Sequence, residues 1–336
     1  AVARDHPQES VCRLVAEHCI QLGNFRYAIE FLIRSGRSED AFRIAELHEK
    51  MDELADLIGE SGTQQQYEAI ATYFCTRSQM IQAAKFFAMS GDPQRAMNCY
   101  MADGTDAAMD AALELAERAP DRQLREQFLE YLNANMKDKT RDLRYLLRMF
   151  IIMQQFEEAA AMALKIADEF RMRGEYKPSR DLLFDIICQL EKHNVSVSSE
   201  MRQALMIVHS YLLIKPQKEK NKVVCALLLR RLSKYVSKFP AHAANLLVMG
   251  VVECSRVGMK KSAFEIATKV LQPEYEGKVK PDVLKKIQTT VRRKDMSEID
   301  EEKKKCPVCG FDLPISELYC GNCKSNLPFD GFSGMH

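Results

Sequence analysis

Eleven cysteines carry the densest chemistry in this 336-residue chain, and four of them close it. The tail reads Cys306-Pro307-Val308-Cys309-Gly310, and ten residues separate Cys309 from the pair Cys320-Gly321-Asn322-Cys323. Two Cys-x-x-Cys hairpins can each offer two thiolates to one tetrahedral ion, at about 2.3 Å per bond. The intervening Phe311-Asp312-Leu313-Pro314-Ile315 is short and turn-rich, enough to bring the hairpins together. Gly310 and Gly321 are expected to supply the positive φ with which such knuckles aim backbone N–H groups at sulfur. The spacing points to a metal site with Cys306, Cys309, Cys320 and Cys323 as ligands and one structural Zn2+ ion. Iron in a four-thiolate site has the same geometry and stays open. Four protein ligands leave no coordination position for water or substrate, which makes such a site structural. A tail this short has almost no core. Metal binding is therefore expected to supply most of its folding free energy, on the order of 10 kcal/mol.

The other seven cysteines, Cys12, Cys19, Cys75, Cys99, Cys188, Cys225 and Cys254, are scattered along stretches with helical period. An odd, dispersed set is a poor disulfide framework, so they read as thiols packed as small hydrophobes in a reducing compartment. A RING module would need eight ligands for two metals, and the tail's one histidine is the terminal His336. Cys188 with His193, and Cys19 beside His18, could suggest a thiol nucleophile, but packed cysteine and surface histidine is the plainer reading. His48-Glu49 begins a zinc-protease pattern and stops. No Gly-x-Ser-x-Gly, phosphate-binding glycine loop or His-Glu-x-x-His is present. The expectation is a non-enzyme. The competing reading, a metalloenzyme or redox protein acting through the four terminal cysteines, has only those cysteines to work with.

The elements that must hold the tail are helices. Val11, Leu14, Val15, His18, Cys19 and Leu22 recur at spacings of three and four, as do Leu182, Leu183, Ile186, Ile187 and Leu190, and Leu227, Leu228, Arg231, Leu232 and Tyr235. The spacing predicts helices over 8–22, 24–34, 38–49, 51–59, 64–77, 79–89, 92–102, 105–118, 121–135, 139–153, 155–173, 177–193, 197–214, 219–238, 241–257, 260–271 and 280–293, with 273–281 as a loop. Short links between them force neighbours to run antiparallel. Phe31-Leu32-Ile33-Arg34-Ser35-Gly36 returns as Phe86-Phe87-Ala88-Met89-Ser90-Gly91 at an offset of 55 residues. At that offset Ala16 meets Ala71, Ala28 meets Ala83 and Ala41 meets Ala96. Phe25-Ala28-Phe31, Met80-Ala83-Phe86 and Phe156-Ala159-Met162 share a smaller unit in which alanine lets two helices approach between larger residues. The 17 methionines, among them Met89, Met97, Met101 and Met109, suit adaptable packing. Hairpins of this kind complete their cores by stacking.

The fold expected is all-α: a tetratricopeptide-like helical-hairpin solenoid over 1–293, an exposed charged linker over 294–305 and a zinc-ribbon-like tail over 306–336. Hydrophobic residues at 46% and a net charge of +1 support a packed core and no bias toward nucleic acid or acidic membrane. The stretch 278–305 holds ten Lys or Arg against six Asp or Glu, a local excess diluted by interleaved acids. No apolar run approaches the ~18 residues of a membrane span. The chain opens Ala1-Val2-Ala3 without methionine and reads as a fragment.

Helical repeats that end in these two cysteine hairpins, with Asn326-Leu327-Pro328 soon after, resemble the C-terminal part of the WD-repeat and tetratricopeptide subunits of intraflagellar transport complex A. The stretch Leu22-Gly23-Asn24-Phe25-Arg26-Tyr27-Ala28-Ile29-Glu30-Phe31 adds to the likeness. The resemblance implies a longer parent with N-terminal β-propellers and a non-enzymatic scaffold. Its solenoid would contact other subunits of that complex, with membrane-protein cargo engaged indirectly. It implies retrograde ciliary transport and ciliary entry of membrane proteins, without nucleic-acid binding or membrane insertion. It places the parent in the cytoplasm, the cilium or flagellum, the axoneme and the ciliary base. The family's zinc ligands fall on Cys306, Cys309, Cys320 and Cys323. Vesicle-coat subunits share the propeller-then-solenoid plan, so a coat or other membrane-trafficking solenoid is the alternative.

Overall fold

A computed structural model describes residues 9–135, 140–293, 296–325 and 327. The chain forms two compact units, Ala1–Lys137 and Asp138–His336. The division falls inside the stretch expected to be one solenoid.

In the first unit the described helices are α1 (Glu9–Gln21), α2 (Phe25–Arg34), α3 (Ser38–Leu47), α4 (Met51–Ile58), α5 (Gln64–Thr76), α6 (Met80–Met89), α7 (Pro93–Asp103), α8 (Asp106–Arg118) and α9 (Arg122–Asn135). One turn joins most of them. Gly23, Gly36, Glu49, Ser78 and Gly91 each take a positive φ, and the next residue donates its N–H to the carbonyl five positions back. That residue is at once the end of one helix and the N-cap of the next, so the reversal needs almost no loop. Ser35 and Ser90 each donate Oγ–H to the carbonyl three back, at 2.9 and 2.8 Å, so the 55-residue repeat holds down to single hydrogen bonds.

Side chains show which helices lie together. Gln66 of α5 donates to Ser38 of α3 at 2.8 Å, and Arg95 of α7 pairs with Glu68 of α5 at 2.7 Å. Gln127 of α9 bonds Asn98 of α7 at 3.2 Å and also contacts Gln94. Thus α3, α5, α7 and α9 stand side by side. Ala16, Ala71, Ala28, Ala83, Ala41 and Ala96 are all fully buried, as the spacing requires. One apolar face behaves otherwise: α1 buries Cys12 and Ala16, while Leu14 is 66% and Leu22 69% exposed. Helix α1 packs closely on α2, with Cys12 and Ala16 buried and Val11, Val15 and Ile20 half-buried, while Leu14 points away.

The second unit contains α10 (Thr140–Ile152), α11 (Phe156–Met172), α12 (Tyr176–Lys192), α13 (Ser199–Lys220), α14 (Lys222–Ser233), α15 (Ala243–Arg256), α16 (Lys260–Val270), α17 (Pro273–Glu276) and α18 (Pro281–Arg293). Strands β1 (Lys303–Lys305) and β2 (Asp312–Pro314) follow, paired antiparallel with Lys304 opposite Leu313. The same positive-φ turn recurs at Gln154, Gly174 and Gly258. Leu183, Ile186, Ile187 and Leu190 are buried as the spacing predicts. Helix α13 runs through Pro216 instead of stopping at 214. Proline removes one helical donor without compelling an end, and the break comes at Asn221, whose Oδ1 accepts from Val223 and Val224 to start α14. The stretch expected as a loop after 272 contains α17, begun by Pro273 and anchored by buried Tyr275. Helix α14 stops at Ser233, short of the expected 238, before a 3-10 turn at Val236–Lys238.

Candidate metal centre

The Sγ atoms of Cys306, Cys309, Cys320 and Cys323 all lie within 4.8 Å of one another. Cys306 and Cys323 are 3.6 Å apart, as are Cys309 and Cys320. A tetrahedron of thiolates at the usual zinc distance has edges of about 3.8 Å, so the four sulfurs fit such an ion.

Two equivalent knuckles place them. Gly310 N–H donates to Cys306 O at 2.9 Å, and Lys324 N–H to Cys320 O at 2.8 Å. Cys306 N–H then donates to Phe311 O, and Cys320 N–H to Ser325 O, both at 2.9 Å. The expected glycine pair is corrected here. Gly310 has φ 70°, but in the second knuckle the left-handed residue is Lys324, φ 58°, and Gly321 does not adopt it. The position after the second cysteine needs that conformation, and Gly321 sits three residues too early.

Backbone N–H groups of Cys309 and Val308 point at Cys306 and, with Ser325, hold its thiol down to about 6. Ser325 lowers Cys323 as well. At Cys320 the N–H of Cys323 pulls downward, but burial and the thiols of Cys309 and Cys323 carry it up to about 11. Thiols bind a metal as thiolates, so a divalent cation entering this cluster releases their protons. Asn322 donates from its side-chain amide to Cys309 Sγ at 3.6 Å. Cys306, Leu313, Cys320 and Leu327 make a small buried core under the site.

The segment expected as an exposed linker is mostly exposed over its described residues, but it is tied down at several points. Ser297 O accepts from Lys260 and Lys261 N–H at 2.8 and 3.0 Å, and Glu298 accepts from Ser262 N–H and Oγ–H, both at 2.9 Å. These are the orphan donors that open α16, whose own N-cap Met259 offers no side-chain acceptor. A carboxylate there also meets the positive end of the helix. Ile299 packs against the apolar core built by α14 to α18.

Beyond it the cysteine module is fastened to α14. Arg230 pairs with Glu301, whose side chain is 7% exposed, and donates to Ser316 Oγ at 2.6 Å. Glu301 in turn accepts Ser316 N–H at 2.9 Å. Arg231, 3% exposed, donates to Ser316 O at 2.5 Å and to Ser210 Oγ at 3.0 Å. Lys234 pairs with Glu317, and Leu318 enters the core formed with Tyr176, Leu232 and Phe239. The apolar spacing puts Arg231 on a buried face without giving a reason for it. An arginine amid Leu227, Leu228 and Leu232 is the one signal in the sequence for a distant acceptor.

Of the seven scattered cysteines, Cys75 and Cys99 come together, with Sγ atoms 3.7 Å apart. His48 stacks on Phe25 at 3.6 Å and His193 leans on Phe156 at 4.7 Å, so both rings close hairpin ends. Asn326, Pro328 and residues 329–336 lie outside the described residues.

Stacked helical hairpins carrying a docked pair of cysteine knuckles define a helical-repeat protein with a zinc-finger-type module. Residues 300–324 match the family described as IFT144, first zinc finger domain. The whole chain is 36% identical over 340 residues to WD repeat-containing protein 19 of Homo sapiens, 25% of whose length it covers. It is 36% identical to the Mus musculus protein of that name over 341 residues, again 25% of its length. WD repeat-containing protein dyf-2 of Caenorhabditis elegans is 30% identical over 341 residues, 24% of its length. The chain corresponds to the C-terminal part of these proteins and spans about a quarter of their length. No described helix is long and apolar enough to cross a membrane.

Proposed function

We propose that this chain is a non-enzymatic scaffold segment of an intraflagellar transport complex A subunit. The similarity of this entire chain to a quarter of WD repeat-containing protein 19 carries this reading. The zinc-finger match over 300–324 supports it independently of the helices. The helical stacks bind other subunits of the complex, and the parent protein serves retrograde ciliary transport and ciliary entry of membrane-protein cargo. It acts from the ciliary base and axoneme and touches cargo indirectly. Residues 1–293 supply the interaction surface. The module from 306 onward holds one structural zinc through Cys306, Cys309, Cys320 and Cys323. With four protein ligands the ion has no open position, so it shapes the module and catalyses nothing.

The experiment is affinity purification of the tagged chain from ciliated cells, with elemental analysis of the purified protein. Other complex A subunits should co-purify, with one zinc per chain. Recovery of a well-folded chain free of those subunits overturns the assembly reading. Iron, or no metal, in a folded chain overturns the zinc reading.

A further inference from the structure

Outside the terminal cluster, a second pair of thiols meets. Cys75 of α5 and Cys99 of α7 have Sγ atoms 3.7 Å apart. They belong to two of the helices that stand side by side across α6, and the 2.7 Å Glu68–Arg95 ion pair ties the same two helices. Cys75 is half-buried and Cys99 is 8% exposed. Two other buried thiols face backbone instead: Cys225 Sγ lies 3.8 Å from Ile214 O, and Cys254 Sγ 3.7 Å from Ala226 O. A disulfide needs about 2.05 Å between sulfurs, so the 3.7 Å separation has to shorten by about 1.65 Å.

We infer that Cys75 and Cys99 form a reversible disulfide site, oxidised by a peroxide and released by thiol reductants. Cys75 is the residue that peroxide reaches. Its thiolate attacks one peroxide oxygen, the O–O bond breaks, and a sulfenic acid forms as hydroxide leaves. Cys99 then gives up its proton and its sulfur attacks Cys75 sulfur. The S–O bond breaks and the hydroxyl departs as water. Two thiols and one hydrogen peroxide become one disulfide and two waters. Burial pushes the Cys99 thiol up to about 12, with hydrogen bonding to Cys75 adding to it, so Cys99 is slow to react alone and acts as the resolving partner. The bond would fasten α5 to α7 directly and fix their spacing on the face they share with α3 and α9.

The test uses the full zinc-loaded chain exposed to graded hydrogen peroxide, alkylated, and digested without reductant. Expected are a Cys75–Cys99 linked peptide, slower hydrogen–deuterium exchange across α5 to α7, and reversal of both by dithiothreitol. In Cys99→Ser, Cys75 should proceed to sulfinic acid; in Cys75→Ser, Cys99 should stay reduced. The proposal fails if Cys75 reaches sulfinic acid with Cys99 intact. It also fails if both stay reduced at doses that oxidise the terminal cysteines.

Discussion

At Lys324 the chain accepts a left-handed backbone that most side chains resist, and Gly310 occupies the matching place in the first knuckle. The conformation costs a non-glycine residue roughly 1–2 kcal/mol. A Cβ at Gly310 would meet nothing within 4 Å, so Gly310→Ala adds that strain and little else. Gly310→Ala should weaken zinc binding about 5- to 30-fold in a chelator competition. Lys324→Gly should strengthen it; equal affinities for both variants and the parent would show that the knuckle backbone is not under this strain. The helical turns offer a parallel case. Gln154 is exposed at φ 58° where Gly36, Gly91 and Gly174 serve elsewhere. Gln154→Gly should raise stability by up to about 1 kcal/mol in denaturant unfolding. The spacing of the cysteines is enough to make the four candidate ligands legible, because two Cys-x-x-Cys pairs so close in the chain have few other uses. Glycine alone is a poor guide to positive φ, because Glu49, Ser78, Gln154 and Lys324 adopt it under the hydrogen bonds of their turns.

Among elements, α14 matters most to the cysteine module. Arg231 is buried between Ser210 and the Ser316 carbonyl, and Arg230 is held by Glu301 and Ser316. Removing a charged donor from a buried bond costs about 1.5–3 kcal/mol. Arg231→Ala should therefore destabilise the second unit by about 2–3 kcal/mol and speed zinc release to a chelator, although it touches no sulfur. Unchanged release kinetics in a folded Arg231→Ala protein would mean that module and helix are energetically separate. Helix existence is readable from apolar spacing, and the 55-residue repeat from paired alanines that all prove buried. The fastening is not readable. Arg231 and Ser316 are 85 residues apart, and a charged run reads as solvated unless its partners are known. Local pattern likewise does not say that Pro216 is carried inside α13 or that Asn221 marks the break.

At the scale of the whole molecule, the division into Ala1–Lys137 and Asp138–His336 puts the four cysteines in one unit only. Calorimetry should resolve two unfolding transitions, and a zinc chelator should lower one of them. A single transition that shifts as a whole would show the units to be one cooperative body. The strap of residues 297–301 adds a practical consequence. Hydropathy alone invites anyone trimming the gene to stop at Arg293, where the last long helix ends. That cut would discard the acceptors that open α16, Glu301 and the carbonyl that receives Arg231, leaving a cationic hole among leucines. Shortened versions meant to stay soluble should keep everything through Leu327.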